Sequence, residues 1–325
     1  MIRFSKDGFI LIIKNSNEMK MIIKNSVVVF FILIGLQGYS QQEPLYTQYY
    51  NNFSLINPAY SGSNGHLTAT LNARSQWAGE AGSPETQTFS LHGAMGKNVG
   101  LGLSIVHDKV FIWNNTEVFA DFSYSLELSE TSTISFGLKA GGSFLNVNLQ
   151  ELGITDDSAL NEDIHKFNPN LGAGVLYYTN KLYASLSTVN ILETKYYDEH
   201  SSTATASDNM VIYLSAGYVI DLGADLKFRP SFLIRTVSGS PLSKDVSASF
   251  LWNNKLELAI SHRFDESISG LFQVRINENV KLGYSYDSLT NNLGNYNNGS
   301  HEISLVFDMG LTGKHADKKK MPFYW

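Results

Sequence analysis

The 325-residue chain is 43% hydrophobic and only 17% charged, carries 17 Tyr, 19 Phe and 26 Gly, and has a formal net charge of −6. Soluble domains carry roughly a quarter charged residues, so the chain is charge-poor for its size. The lack of cysteine excludes a disulfide scaffold, a cysteine-ligated zinc and a thiol nucleophile, and the acidic balance argues against a nucleic-acid partner.

The chain opens with a targeting segment. Lys20 and Lys24 precede the apolar run Val27 to Leu36, and Gly38 and Ser40 supply small residues before a cleavage point. A basic stretch, a short apolar core and small residues together read as a secretory signal peptide over residues 1–40. Ten apolar residues are too few for a spanning helix, which needs about 20. Met19 or Met21 is an alternative start, with residues 1–18 an extension. Removing residues 1–40 takes away five Lys/Arg and two Asp/Glu, leaving a mature charge of about −9.

Residues 41–66 form an N-terminal segment that is periplasmic or lumenal. From residue 67 the hydrophobic period becomes two. Val118, Ala120, Phe122, Tyr124 and Leu126 alternate with Phe119, Asp121, Ser123, Ser125 and Glu127. Val280, Leu282, Tyr284 and Tyr286 alternate with Lys281, Gly283, Ser285 and Asp287. Such alternation requires strands, because successive side chains point to opposite faces. About fourteen segments show it, near 67–76, 86–96, 99–108, 116–128, 132–147, 168–178, 181–189, 209–220, 226–235, 243–252, 256–262, 267–276, 280–287 and 299–309.

A soluble sandwich also alternates, so loop lengths are used to discriminate. Connections after the even segments are tight, as at Lys97-Asn98 and Asn253-Asn254. Those after the odd ones are mostly longer, including an acidic 148–167 and the stretches 190–208 and 287–298. Short turns on one side and long loops on the other predict an all-β, antiparallel transmembrane barrel over residues 67–309, with short periplasmic turns and longer extracellular loops. A basic periplasmic tail, 310–325, follows. The surrounding outer-membrane lipid is the expected contact of the apolar face. The other face would line the lumen, and its charges are of mixed sign (Arg74, Asp121, Lys139, Arg229, Glu257, Lys281, Glu302, Asp308). Mixed signs suit internal ion pairing better than a one-sign selectivity filter.

The strands carry no chemistry that stands out. The eight histidines show no metal-ligand spacing, and there is no nucleophile elbow, phosphate loop or dinucleotide fingerprint. The expectation is no catalytic residue, no cofactor, no metal and no small-molecule substrate. Gly100, Gly102, Gly172 and Gly174 read as strand glycines that make room inside the barrel.

One stretch does not read as generic barrel sequence. It holds Gln48-Tyr49, Asn52, Ile56-Asn57-Pro58-Ala59-Tyr60-Ser61-Gly62, then Arg74-Ser75-Gln76-Trp77 and Gly82-Ser83-Pro84. Asn57-Pro58 is a turn, because Pro keeps its predecessor out of the helical region and Asn caps its own backbone. Pro58 also lacks the donor a central strand needs. These motifs resemble the PorP/SprF family of outer-membrane proteins of the Bacteroidetes type IX secretion system, with Ser61 where alanine is common and Ala78 between Trp77 and Gly79. The terminus Lys318 to Lys320 and Pro322-Phe323-Tyr324-Trp325 is similar to that family's end as well. The resemblance implies a non-enzymatic barrel that assists secretion or surface attachment of a partner adhesin or effector through its C-terminal domain. It implies contact with other secretion components and a link to gliding motility; a passive porin or solute channel is the alternative. Asn57, Pro58, Ala59, Tyr60, Arg74, Gln76, Trp77 and Pro84 are the candidate partner-contact residues.

Overall fold

The computed structural model describes residues 47–153, 162–192, 194–195, 207–208, 210–238 and 240–310. The expected signal peptide, residues 41–46, the basic tail beyond Gly310 and the middle of the two longest loops lie outside the described residues.

Fourteen long antiparallel strands make one closed sheet: β1 (Leu67–Ser75), β2 (Glu85–Met95), β3 (Val99–Val110), β4 (Trp113–Glu127), β5 (Ser132–Val147), β6 (Ile164–Thr179), β7 (Leu182–Thr188), β8 (Val211–Tyr218), β9 (Leu226–Val237), β10 (Ser243–Trp252), β11 (Leu256–Arg263), β12 (Ser267–Arg275), β13 (Val280–Leu289) and β14 (Ser300–Met309). Each strand pairs with the next, and β14 returns to β1 with Met309 opposite Leu67 and His301 opposite Ser75. Closure leaves no row of unpaired backbone groups, the condition for a sheet to cross lipid. No described helix is long and apolar enough to span a membrane.

The period-two sequence maps directly onto the two faces. Leu138, Leu186, Leu258, Ile260 and Ile303 are each more than half exposed on the outside. Ser123, Ser135, Ser215, Ser249, Ser285 and Ser304 are buried on the inside, among the charges expected there. This inverted arrangement, apolar out and polar in, is that of a barrel in lipid. Tyr177 and Tyr178 face opposite ways, as neighbours on a strand must. Tyr178 turns into the lumen and is buried.

The loop rule needs one correction. The connections on the side of Leu67 and Met309 are short, as expected. On the other side, β3 and β4 run on to Val110 and Trp113, so Phe111 and Ile112 alone join them, with Phe111 at φ 53°. The expected seven-residue loop is therefore strand, because β3 to β6, at 12 to 16 residues, outrun the membrane crossing. The projecting hairpins have their own small cluster of Ile112, Leu145, Val147 and Leu149. Likewise β6 begins at Ile164, inside the expected 148–167 loop. The side holding the longest connections, 148–163 and 189–210, still identifies the extracellular face.

Candidate functional site

Residues 47–65 do not hang in the periplasm; they fold into the lumen as a plug. The segment has two turns, a one-turn helix α1 (Phe53–Ile56) and a 3₁₀ turn over Pro58–Tyr60. Asn57 joins them as the sequence dictates. Its backbone is extended (φ −142°, ψ 110°) ahead of Pro58, and its Oδ1 accepts from the Ala59 N–H at 2.9 Å. Its amide nitrogen donates to the Ser185 Oγ at 2.7 Å and to the Val175 carbonyl at 3.1 Å, fastening the turn to β7 and β6.

The plug has an apolar and a polar side. Tyr49, Phe53, Ile56, Ala59 and Tyr60 pack against Leu176, Tyr178, Tyr183, Val211, Tyr213 and Leu233, an apolar patch on the lumen face of β6 to β9. Phe53 meets Tyr60 at 5.2 Å and the edge of Tyr183 at 5.9 Å. Tyr60 also lies 5.0 Å from the His92 ring, the two planes tilted by 58°. Paired rings of this kind add about 0.5–1.5 kcal/mol beyond their area. On the polar side Asn51 donates to Gln273 and Ser304 at 3.0 Å, and Asn52 donates to Thr88. Tyr50 hydrogen-bonds Ser231 and lies over the Arg229 guanidinium, 4.4 Å from its ring centroid.

Glycines on the wall set how close the plug lies. A Cβ built on Gly100 or Gly102 would collide with Ser61; on Gly137, with Ala59; on Gly174, with Asn57; on Gly283, with Gln48. Gly62 of the plug, at φ +79°, rests against the Gly100 backbone. The inward phase of Gly100, Gly102 and Gly174 was readable as room made inside the barrel; Gly172 instead gives room to Thr188 and Val189 of the wall.

Most of the buried wall charges fall into ion-paired sets. Lys139 reaches Asp121 at 2.8 Å, Arg229 reaches Glu257 at 2.6 Å, Arg263 binds Asp245 through two nitrogens and Lys281 meets Asp308 at 3.4 Å. Arg74 lies between Asp287 at 2.6 Å and Glu302 at 3.1 Å. Thr47 completes this clasp: its N–H donates to Glu302 at 2.9 Å and its hydroxyl to Asp287 at 2.7 Å. Buried charges are tolerable only in such compensated, hydrogen-bonded sets. A cavity of about 20 Å³ between Gln48, Tyr50, Asn51, Arg229 and Glu257 has room for about one water.

The structure thus divides the sequence-predicted residues. Asn57, Pro58, Ala59 and Tyr60 are buried at the plug–wall contact, and Arg74 is buried in the clasp. Gln76, Trp77 and Pro84 are half-buried in the β1–β2 loop at the extracellular rim. There the Gln76 N–H donates to the Pro84 carbonyl, and the Ala78 N–H to the Gly299 carbonyl of the β13–β14 loop. Sequence reasoning missed Thr47 and Arg263 as lumen partners and placed Asp287 on the inner face without giving it a partner. Asp287 and Arg263 sit at the strand ends, in phase with the inward residues before them, and that phase was the available signal.

Residues 38–307 match the PorP/SprF family, type IX secretion system membrane proteins. The chain belongs to that family. The matched stretch takes in the plug and nearly the whole barrel of this PorP/SprF protein. No curated protein sequence matches the chain. Among solved structures it is similar to the CymD monoaromatic hydrocarbon channel, with 12% identity, 85% of this chain and 96% of that one covered, and a TM-score of 0.47. It is similar to the Ralstonia pickettii toluene transporter TbuX, with 9% identity, 79% and 93% covered and a TM-score of 0.48. The NanC porin gives 10%, 75%, 100% and 0.42 in the same terms. The family is one of type IX secretion system membrane proteins, and the closed antiparallel sheet described above is the barrel through which such a protein sits in the outer membrane.

Proposed function

We propose that this barrel assists the secretion or surface attachment of a partner adhesin or effector, engaging its C-terminal domain, and that it carries out no chemistry of its own. The observation that supports this reading is the plug. The segment bearing the family motifs occupies the lumen and touches wall strands on every side, from β2 and β4 through β6, β7 and β9 to β12–β14. A passive porin needs that space as its water path. The exposed rim around Trp77 and Pro84 is the part of the motif set that a partner can touch without unseating the plug. A link to gliding motility, export by the N-terminal signal peptide and contact with further secretion components belong to the same reading.

The test is a clean deletion with complementation. Cells lacking the protein are expected to lose the partner from their surface while other outer-membrane proteins are unchanged, and the purified barrel is expected to show no steady conductance in a planar bilayer. Unaltered surface display together with an open, ohmic pore would put the channel reading in its place.

A further inference from the structure

The contacts of the plug, followed along the chain, run down the barrel. Thr47 binds Asp287 and Glu302 and is joined by Arg74. Those three wall residues lie within two positions of the extracellular ends of β13, β14 and β1. Gln48 reaches Ser304 and Ser285, lower on the same strands. Asn57 is tied to Ser185 at the middle of β7 and to Val175 past the middle of β6. Ser61 hands its carbonyl to Ser123 on the lower half of β4. Asn64 then bonds Thr68, one residue into β1 at the periplasmic rim.

We propose that the plug is threaded from the extracellular mouth downward, so that its upstream end at Thr47 opens on the cell surface. Strand parity alone would put both ends of an even-stranded barrel in the periplasm. The plug adds a further crossing and reverses that for the upstream end. The clasp is its outermost fastening. This inference rests on the barrel's orientation and not on the secretion role.

The experiment inserts a short epitope between Glu43 and Pro44 of the full-length chain. Control epitopes go at Ser202, in the long β7–β8 connection, and between Asn253 and Asn254, in a periplasmic turn. On intact cells the epitopes at Glu43–Pro44 and at Ser202 are expected to bind antibody as fully as after permeabilisation, and the Asn253–Asn254 epitope only after it. In the same background the pair Asn57→Cys and Ser185→Cys is expected to crosslink, unambiguously because the chain has no cysteine of its own. An epitope at Glu43–Pro44 reached only after permeabilisation, in protein whose cysteine pair crosslinks, overturns the threading. A surface-reached epitope without the crosslink overturns it too, since the plug is then outside the lumen. A deletion with normal partner display would count against the proposed function and leave this result untouched.

Discussion

The two halves of the lumen wall hold the same plug by different means. From β3 to β8 the wall is mostly small or apolar around one ion pair, Asp121–Lys139, with Gly100 and Gly137 admitting the plug backbone, Gly174 admitting the Asn57 side chain, and Leu176, Tyr178, Tyr183 and Tyr213 taking the plug's rings. From β9 round to β1 the wall is charged, with Arg229–Glu257, Arg263–Asp245, Lys281–Asp308 and the Arg74 clasp. Apolar contact is non-directional and supplies attraction. Paired charges add little net attraction, yet breaking one pair strands its partner. The first half therefore holds the plug in, and the second fixes its position.

That division can be broken at several points. The largest effect belongs to the glycines. Gly137→Leu places a side chain where Ala59 lies, which the wall cannot relax around, so the plug should be expelled. Bilayer conductance should rise from none to a steady open level while the fourteen strands still assemble. Next comes Phe53→Ala, which removes a fully buried ring and should cost about 3–5 kcal/mol. The measurement is the temperature at which the unboiled band on an SDS gel converts to the boiled one. Arg74→Ala leaves Asp287 and Glu302 facing each other without a cation; truncating one partner of a buried set costs about 3–5 kcal/mol. A double change of Arg74→Met with Glu302→Gln should recover part of that loss, and failure to recover any would show that the clasp does more than balance charge.

The smallest effect lies outside the membrane. Lys181 and Asp221 pair at 2.9 Å across two periplasmic turns and stay solvent-exposed. The hydrogen bond with Lys181 holds the Asp221 carboxyl below its usual range, and the same bond raises Lys181. A depressed carboxyl contributes above its unfolded pKa and loses that contribution as pH falls through the folded value. A raised ammonium contributes below its unfolded pKa and loses it as pH rises through the folded one. Between pH 5 and 9 both contributions are intact, so the gel-shift temperature should be flat there. Because exposed pairs contribute little, Asp221→Asn should leave that temperature unchanged.

Much of this was legible in the sequence, and what was not has physical causes. Strand number and inside–outside phase followed from alternation, which the closed sheet enforces at every residue. The β3–β4 hairpin was misjudged because Lys109 to Asn115 have no lipid face to keep the pattern apolar once the strands leave the membrane. The burial of Asn57 to Tyr60 could not be read, because an irregular segment has no period to reveal which side is covered. Its chemistry was readable, and the Asn57 cap and Pro58 turn are where local rules put them. The mixed-sign lumen was anticipated, but Glu127 turns out exposed at the periplasmic end of β4.

The bonds of the plug also set a sequence in time. Asn64 meets Thr68 four residues away, Ser61 meets Asp121 at a separation of 60, and Asn57 meets Ser185 at 128. Tyr50 meets Ser231 at 181, Asn51 meets Gln273 at 222, and Thr47 meets Glu302 at 255. The bonds to Ser185, Ser231, Gln273 and Glu302 wait for later stretches of chain, whereas Asn52 to Thr88 and Arg74 to Thr47 span only 36 and 27 residues, and long loops close more slowly than short ones. The foot of the plug and a few of its upper contacts can therefore form early, but the bonds of Thr47 to Asp287 and Glu302 form only when β13 and β14 have been added and the barrel closes against β1.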